Sequence, residues 1–204
     1  MKLGFDLDGT IISCKEKHIF CLKYALSVLG CDKKIDFESY WSEKLAGKNN
    51  YHALINQKLD ARLIEQICRE WVKHIESNEA LRHDLIYPNA LDVLEKLSNK
   101  HSLYLISARK NKNNAEAQFN EMGLERFFQD WAFVEHDNVV ANKANAMEIF
   151  EVQNYIGDAE TDFLACDLVK VDFIATSFGM RQRGFWEDRI NIVDSWGQIE
   201  EVFL

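Results

Sequence analysis

Two aspartates with a single residue between them, Asp6 and Asp8, close a short apolar run in the segment Gly4-Phe5-Asp6-Leu7-Asp8-Gly9-Thr10. In an extended strand, side chains two residues apart share a face, so both carboxylates project together where the strand ends and Gly9 turns the chain. Adjacent anions repel, and a proton or a cation relieves the repulsion. The pair therefore suits divalent-metal binding or acid/base chemistry. On its own the segment also reads as an ordinary Asp-Gly turn after a first strand. The choice between these readings depends on whether other chemistry-bearing residues are placed to join the pair.

The elements that would position them alternate, short apolar runs with helical patterns, as in a parallel sheet flanked by helices. Candidate strands are Lys2–Asp6, Leu103–Ser107, Trp131–Glu135, Asn154–Gly157 and Asp172–Thr176. Between the last four lie helical stretches of crossover length at Asn113–Gly123, Lys143–Phe150 and Thr161–Val169. The first gap differs. From Ser13 to about His83 the pattern is helical throughout: His18–Leu29 ending at Gly30, Phe37–Leu45 after an Asp36 cap, and Leu59–Ile75 with Ile64, Ile67, Trp71 and Ile75 on one stripe. Such a length is far beyond that of a structureless connection, which predicts a helical subdomain inserted after the first strand. The only proline, Pro88, is expected to open the helix that leads back to the second strand, with Tyr87, Ala90, Leu91, Leu94 and Leu97 inward.

The chain has 204 residues and 47% hydrophobic content, enough for one domain with an insertion or two small domains. Twenty-four basic against 33 acidic residues give a net charge of -9 with no basic block. That balance argues against nucleic-acid partners and anionic membrane surfaces. The five cysteines (Cys14, Cys21, Cys31, Cys68, Cys166) are scattered and lack ligand spacing, so buried free thiols and a reducing cytoplasm are expected. The six histidines show no ligand spacing either, and the aromatic residues Tyr40, Trp41 and Trp71 read as packing. The N-terminus lacks signal-peptide character, and no window is apolar enough to span a membrane.

In a parallel sheet, chemistry gathers at the carboxyl ends of the strands. After the first strand come Asp6 and Asp8; after the second, Ser107-Ala108-Arg109-Lys110; before the fourth stands Lys143; after the fourth, Gly157-Asp158-Ala159-Glu160-Thr161-Asp162. Ser107 alone would be an ordinary strand-end serine, Lys143 a solvated helix residue, and Asp158 and Asp162 helix-start acids favoured by the dipole. Their joint placement favours a site.

The set FDLDGT, LISAR, a lysine at a helix head and IGDAETD, in this order and spacing, resembles the haloacid dehalogenase-like hydrolase superfamily across nearly the whole chain. The YPNALDVLEKL and FIATSFGM segments resemble its phosphoglycolate phosphatase-like branch. The resemblance implies an α/β, Rossmann-like parallel-sheet core spanning 1–13 and 84–204, with a small all-helical cap at 14–83. It implies that Asp6 is the nucleophile that takes a phosphoryl group, and that Asp8 is the general acid and then base. Members that cleave carbon–halogen or phosphonate bonds lack the second acid. Ser107 resembles the group that hydrogen-bonds phosphoryl oxygens, and Lys143 the cation that neutralises nucleophile and phosphate. Mg2+ would be held by Asp6, the Asp8 backbone carbonyl and Asp158, with Asp162 in a supporting role.

The substrate implied is a small phosphorylated metabolite, hydrolysed as a phosphate monoester. Ala108, Arg109 and, in the Ala46-Gly47-Lys48-Asn49-Asn50 loop, Lys48 are candidates to face its nonreacting end. Three other readings stay open. A phosphomutase would use the same residues, although the mutases compared have Glu-Asp where this chain has Gly157-Asp158. A polynucleotide-end phosphatase shares DLDGT but lacks a helical cap there. A noncatalytic regulatory module would keep the fold without needing such clustered charges. Oligomeric state leaves no trace in the sequence.

Overall fold

The computed structural model describes residues 1–186 and 190–204. It divides into two compact units, Met1–Ser13 with Ile86–Leu204, and Cys14–Leu85. Strand β1 (Lys2–Phe5) opens the first unit, and the short β2 (Ile12–Ser13) leads out of it. The second unit is helical: α1 (Lys15–Val28), α2 (Phe37–Leu45), α3 (Asn50–Leu54), α4 (Ala61–His74) and α5 (Asn78–Leu81). Its core joins Leu22, Ala25 and Leu26 of α1 to Tyr40, Leu54, Ile64 and Ile67. Asp36, Asn49, Asp60 and Ser77 cap four of these helices, each accepting a backbone N–H three residues on. Those caps satisfy donors that a helix start otherwise leaves orphaned.

The chain returns through β3 (Leu85–Ile86) and continues with α6 (Ala90–Ser98), β4 (Ser102–Ala108), α7 (Lys112–Glu121), β5 (Asp130–Val134), α8 (Val139–Phe150), β6 (Asn154–Gly157), α9 (Glu160–Val169), β7 (Asp172–Thr176), β8 (Asn191–Val193) and α10 (Trp196–Phe203). Six strands form one sheet in the order β5-β4-β1-β6-β7-β8, every neighbouring pair parallel. The chain builds outward from β1 through β4 and β5, then crosses back to β6 on the other side. The order reverses between β1 and β6, which is where open α/β sheets leave a crevice at their carboxyl ends.

The two-residue alternation of strands sorts the core into layers. Leu3, Phe5, Leu103 and Leu105 join α6, α7 and α10 on one face, while Tyr104, Ile106 and Tyr155 join α8 and α9 on the other. Gly4 lies on the α8/α9 side, where a Cβ would come 2.6 Å from Tyr155.

The elements differ in places from the sequence expectation. Pro88 does not open α6: Asn89 takes a left-handed conformation (φ 65°) as N-cap and the helix begins at Ala90. Lys143 is not at a helix head but in the second turn of α8, which starts at Val139 after a left-handed Asn138. Helix α1 starts three residues before His18, because its N-cap Cys14 offers no side-chain cap for a sequence to advertise. The short elements α3, α5, β2, β3 and β8, and the terminal helix α10, were not anticipated.

Candidate active site

Asp6 follows β1 directly, and its N–H donates to the Ile156 carbonyl (2.9 Å), extending the β1–β6 ladder to the end of the sheet. Asp158 follows β6 in the same way. Asp162 is the third residue of α9, and its Oδ2 accepts the N–H groups of Asp158 (3.2 Å) and Ala159 (3.1 Å). A carboxylate there caps the helix and answers its dipole. Gly157 makes this approach possible, since a Cβ at that position would lie 2.5 Å from Asp162 Oδ2. Gly9 does the same on the opposite side: at φ 75° it turns the chain after Asp8, and a Cβ there would overlap Asp158 Oδ2.

Lys143 reaches in from α8. Its Nζ lies 3.1 Å from Asp6 Oδ1 and 2.5 Å from Asp162 Oδ1, with a side chain only 3% exposed. Beneath it sits the Tyr155 ring, 5.9 Å from Nζ, whose hydroxyl donates to the Ile106 carbonyl at 2.5 Å. Burial alone would lower the lysine's pKa, but the Asp162 and Asp6 carboxylates outweigh it and hold the ammonium charged well into the alkaline range.

The carboxylates are less comfortable. Burial pushes Asp6 up to about 6, with Lys143 opposing and the charges of Asp162 and Asp8 adding to the rise. Burial and then the charges of Asp6 and Asp162 push Asp158 well above the ordinary carboxylate range, against the Met180 N–H that donates to its Oδ2 at 2.5 Å. Three buried carboxylates thus face one buried ammonium. Among the described residues, Asp6, Asp158 and Asp162 are the single group whose ligand atoms, all within 4.8 Å of one another, could hold a metal. The bonds above engage both Asp162 oxygens but one each of Asp6 and Asp158, so the latter two retain an oxygen to offer. Hard oxygen donors with excess negative charge fit Mg2+.

Asp8 is held differently. The turn after it is tied by the N–H groups of Thr10, Ile11 and Ile12, all donated to the Leu7 carbonyl. Its Oδ2 lies 2.6 Å from the Arg109 guanidinium. Arg109 stands just beyond β4, beside Ser107 and Ala108 at the strand's end; Ser107 and Arg109 are buried, and Ala108 is half-buried. The sequence offered Arg109 as a substrate contact; the structure engages it on Asp8 and on Gln118 Oε1 (3.3 Å). Gln118 was missed, although a signal existed: with Ala115 and Phe119 it lies on the buried stripe of α7, where a polar side chain needs a partner. Met180 acts through its backbone, so no residue type could have announced it. Lys48, in the helical unit, follows Gly47 (φ 87°) and pairs with Glu43.

Residues 4–176 match the family described as haloacid dehalogenase-like hydrolase. The chain is a haloacid dehalogenase-like hydrolase. No curated protein matches its sequence. Among solved structures, this hydrolase is similar to a haloacid dehalogenase-like family protein from Streptococcus pneumoniae, at 18% identity and TM-score 0.74, over 100% of this chain and 98% of that one. It is similar also to a predicted phosphatase from Clostridium acetobutylicum (17%, TM-score 0.70, 98% and 96%) and a predicted phosphoglycolate phosphatase from Haemophilus somnus (16%, TM-score 0.69, 99% and 97%). At these identities the likeness is one of fold. All five cysteines are free thiols, three of them buried, and no helix among the described residues is long and apolar enough to cross a membrane.

Proposed function

We propose that this hydrolase is a Mg2+-dependent phosphatase of small organic phosphate monoesters that works through an aspartyl-phosphate on Asp6, with the helical unit as its cap. The observation that carries the reading is a buried carboxylate at the sheet's switch point, Asp6, held 3.1 Å from a buried ammonium with Asp158 in the same ligand group. Asp6 supplies the nucleophilic oxygen, and Asp8 supplies a proton to the leaving alcohol and later accepts one from water. Lys143 keeps Asp6 ionised and lends positive charge to the phosphoryl oxygens, which Ser107 supports with its hydroxyl. Asp6, the Asp8 backbone carbonyl and Asp158 would hold Mg2+; when bound, it supplies charge neutralisation on the transferred group. A soluble, cytoplasmic setting agrees with the free thiols.

A phosphomutase is disfavoured by Gly157. The glutamate at that position in the mutases compared above would force Asp162 from the two N–H groups it caps. A noncatalytic module is disfavoured by the imbalance of buried charge, which costs stability unless a cation is bound.

The test is hydrolysis of p-nitrophenyl phosphate with Mg2+ and with chelator, by wild type, Asp6→Asn and Asp8→Asn. Mg2+-dependent turnover absent from Asp6→Asn is expected. Inactivity of wild type on aryl and metabolite esters, together with no binding of beryllium fluoride and Mg2+, would overturn the reading.

A further inference from the structure

We propose that Arg109 is the positioning residue for Asp8, fixing that carboxylate where it meets the leaving group, with Gln118 as its brace; the inference rests on the phosphatase reading above. Three observations carry it. The base of the Arg109 side chain is fixed, because its N–H donates to the Val134 carbonyl at 2.8 Å and carries the β4–β5 ladder one residue beyond the strand. Its side chain is drawn inward, 4% exposed against 26% for Asp8. Its terminal nitrogen is shared between Asp8 Oδ2 at 2.6 Å and Gln118 Oε1 at 3.3 Å, and Gln118 is itself buried on α7. A cation meant to capture a substrate anion gains from exposure; a buried guanidinium set between protein oxygens gains from geometry, because its planar donors point along fixed directions.

The consequence is a division of labour. The two carboxylates of the first motif stand two residues apart just past β1, yet each is given a different cation, Asp6 to Lys143 of α8 and Asp8 to Arg109 just beyond β4. Asp8 is then fixed twice, its backbone by the turn that closes on the Leu7 carbonyl and its side chain by Arg109. In the first transfer a bond forms between an Asp6 oxygen and phosphorus while the bond from phosphorus to the ester oxygen breaks. The electron pair leaves with that oxygen, which takes the proton from Asp8. An aryl oxygen leaves well without the proton, whereas an alkyl oxygen needs it. Loss of the Arg109 hold therefore falls on alkyl esters.

The experiment compares kcat/KM for glycerol 2-phosphate and p-nitrophenyl phosphate, with Mg2+, in wild type, Arg109→Gln, Arg109→Lys, Gln118→Leu and Asp8→Asn. This parameter ends at alcohol release, so hydrolysis of the common aspartyl-phosphate does not enter it. Arg109→Gln is expected to lower the alkyl value about 10^2-fold more than the aryl value, as Asp8→Asn does. Arg109→Lys, which keeps the charge without the fork, recovers part of the difference. Gln118→Leu gives the same discrimination, about 3- to 10-fold, and decides the matter if Arg109→Gln does not fold. Equal losses on both esters would mean a merely structural role, and a raised KM at unchanged kcat would mean a substrate contact; either overturns the inference and leaves the phosphatase reading standing. A wild type inactive on both esters overturns that reading, and the inference with it.

Discussion

Each unit of the molecule buries a lysine against carboxylate, and the two arrangements differ in their arithmetic. In the helical unit Lys17 meets Asp84 at 2.7 Å as a buried lysine–aspartate pair, with side chains 3% and 0% exposed. In the α/β unit Lys143 meets Asp6 and Asp162, and Asp158 stands in the same cluster, so negative charge is in excess. A matched buried pair is a structural device whose attraction roughly offsets its desolvation. An unmatched cluster is destabilising by itself and is kept where a cation or a developing charge completes it. The contrast separates scaffold from chemistry without reference to conservation.

The sharpest way to break the comparison is Asp6→Asn. Turnover should fall on the order of 10^4-fold or more, while the thermal midpoint of the metal-free protein rises because one repelling charge is gone. A fall in the midpoint measured by calorimetry would mean that Asp6 holds the fold together as Asp84 does.

Lys17→Met takes the ammonium away from the buried Asp84 carboxylate and should cost about 3–5 kcal/mol in denaturant unfolding. Lys17→Met with Asp84→Leu should recover most of that. Lys143→Met with Asp162→Leu should recover no activity, because the ammonium beside Asp6 is lost along with its partner.

The pH dependence gives a third, smaller test. Asp6 has a folded pKa of about 6 against 3.8 for the free side chain. A raised pKa means that the protonated form favours the fold, so this contribution is fully present below pH 3.8 and is lost as pH climbs through about 6. Relative to Asp6→Asn, the metal-free wild type should therefore lose several degrees of thermal midpoint between about pH 4 and pH 7, and Mg2+ should restore it at pH 7 more than at pH 5. A pH-independent difference between the two proteins would refute the imbalance.

The mildest change is Tyr155→Phe, which removes the hydroxyl bond to Ile106 but leaves the ring under Lys143. It should cost about 1 kcal/mol of stability with turnover within about threefold of wild type.

Much of the fold was legible because near-continuous apolar runs such as Leu103–Ile106 mark strands buried on both faces, and Asp36 announces the helix it caps. Strand β8 was illegible because three residues beside polar neighbours carry no periodicity, and α8 was misplaced by four residues because a left-handed Asn138 starts it without a side-chain cap. Among the candidate site residues, the strand-end carboxylates could be named from sequence, while the partner of Arg109 could not. Nothing near Arg109 in the chain distinguishes a guanidinium that reaches outward from one that turns in to Asp8, a hundred residues away.

The sequence by itself determined where strands end and which acids stand there, because strand periodicity and the turn at Gly9 are encoded within a few neighbouring residues. Only the tertiary structure decided which cation each acid receives. Lys143 lies 137 residues from Asp6 in the chain, and their meeting depends on the sheet order that sets β4 and β6 on either side of β1 and on the packing of α8 against β4 and α9. That order is fixed by the burial of two whole faces of the sheet, a property of the assembled core that no local stretch of residues carries.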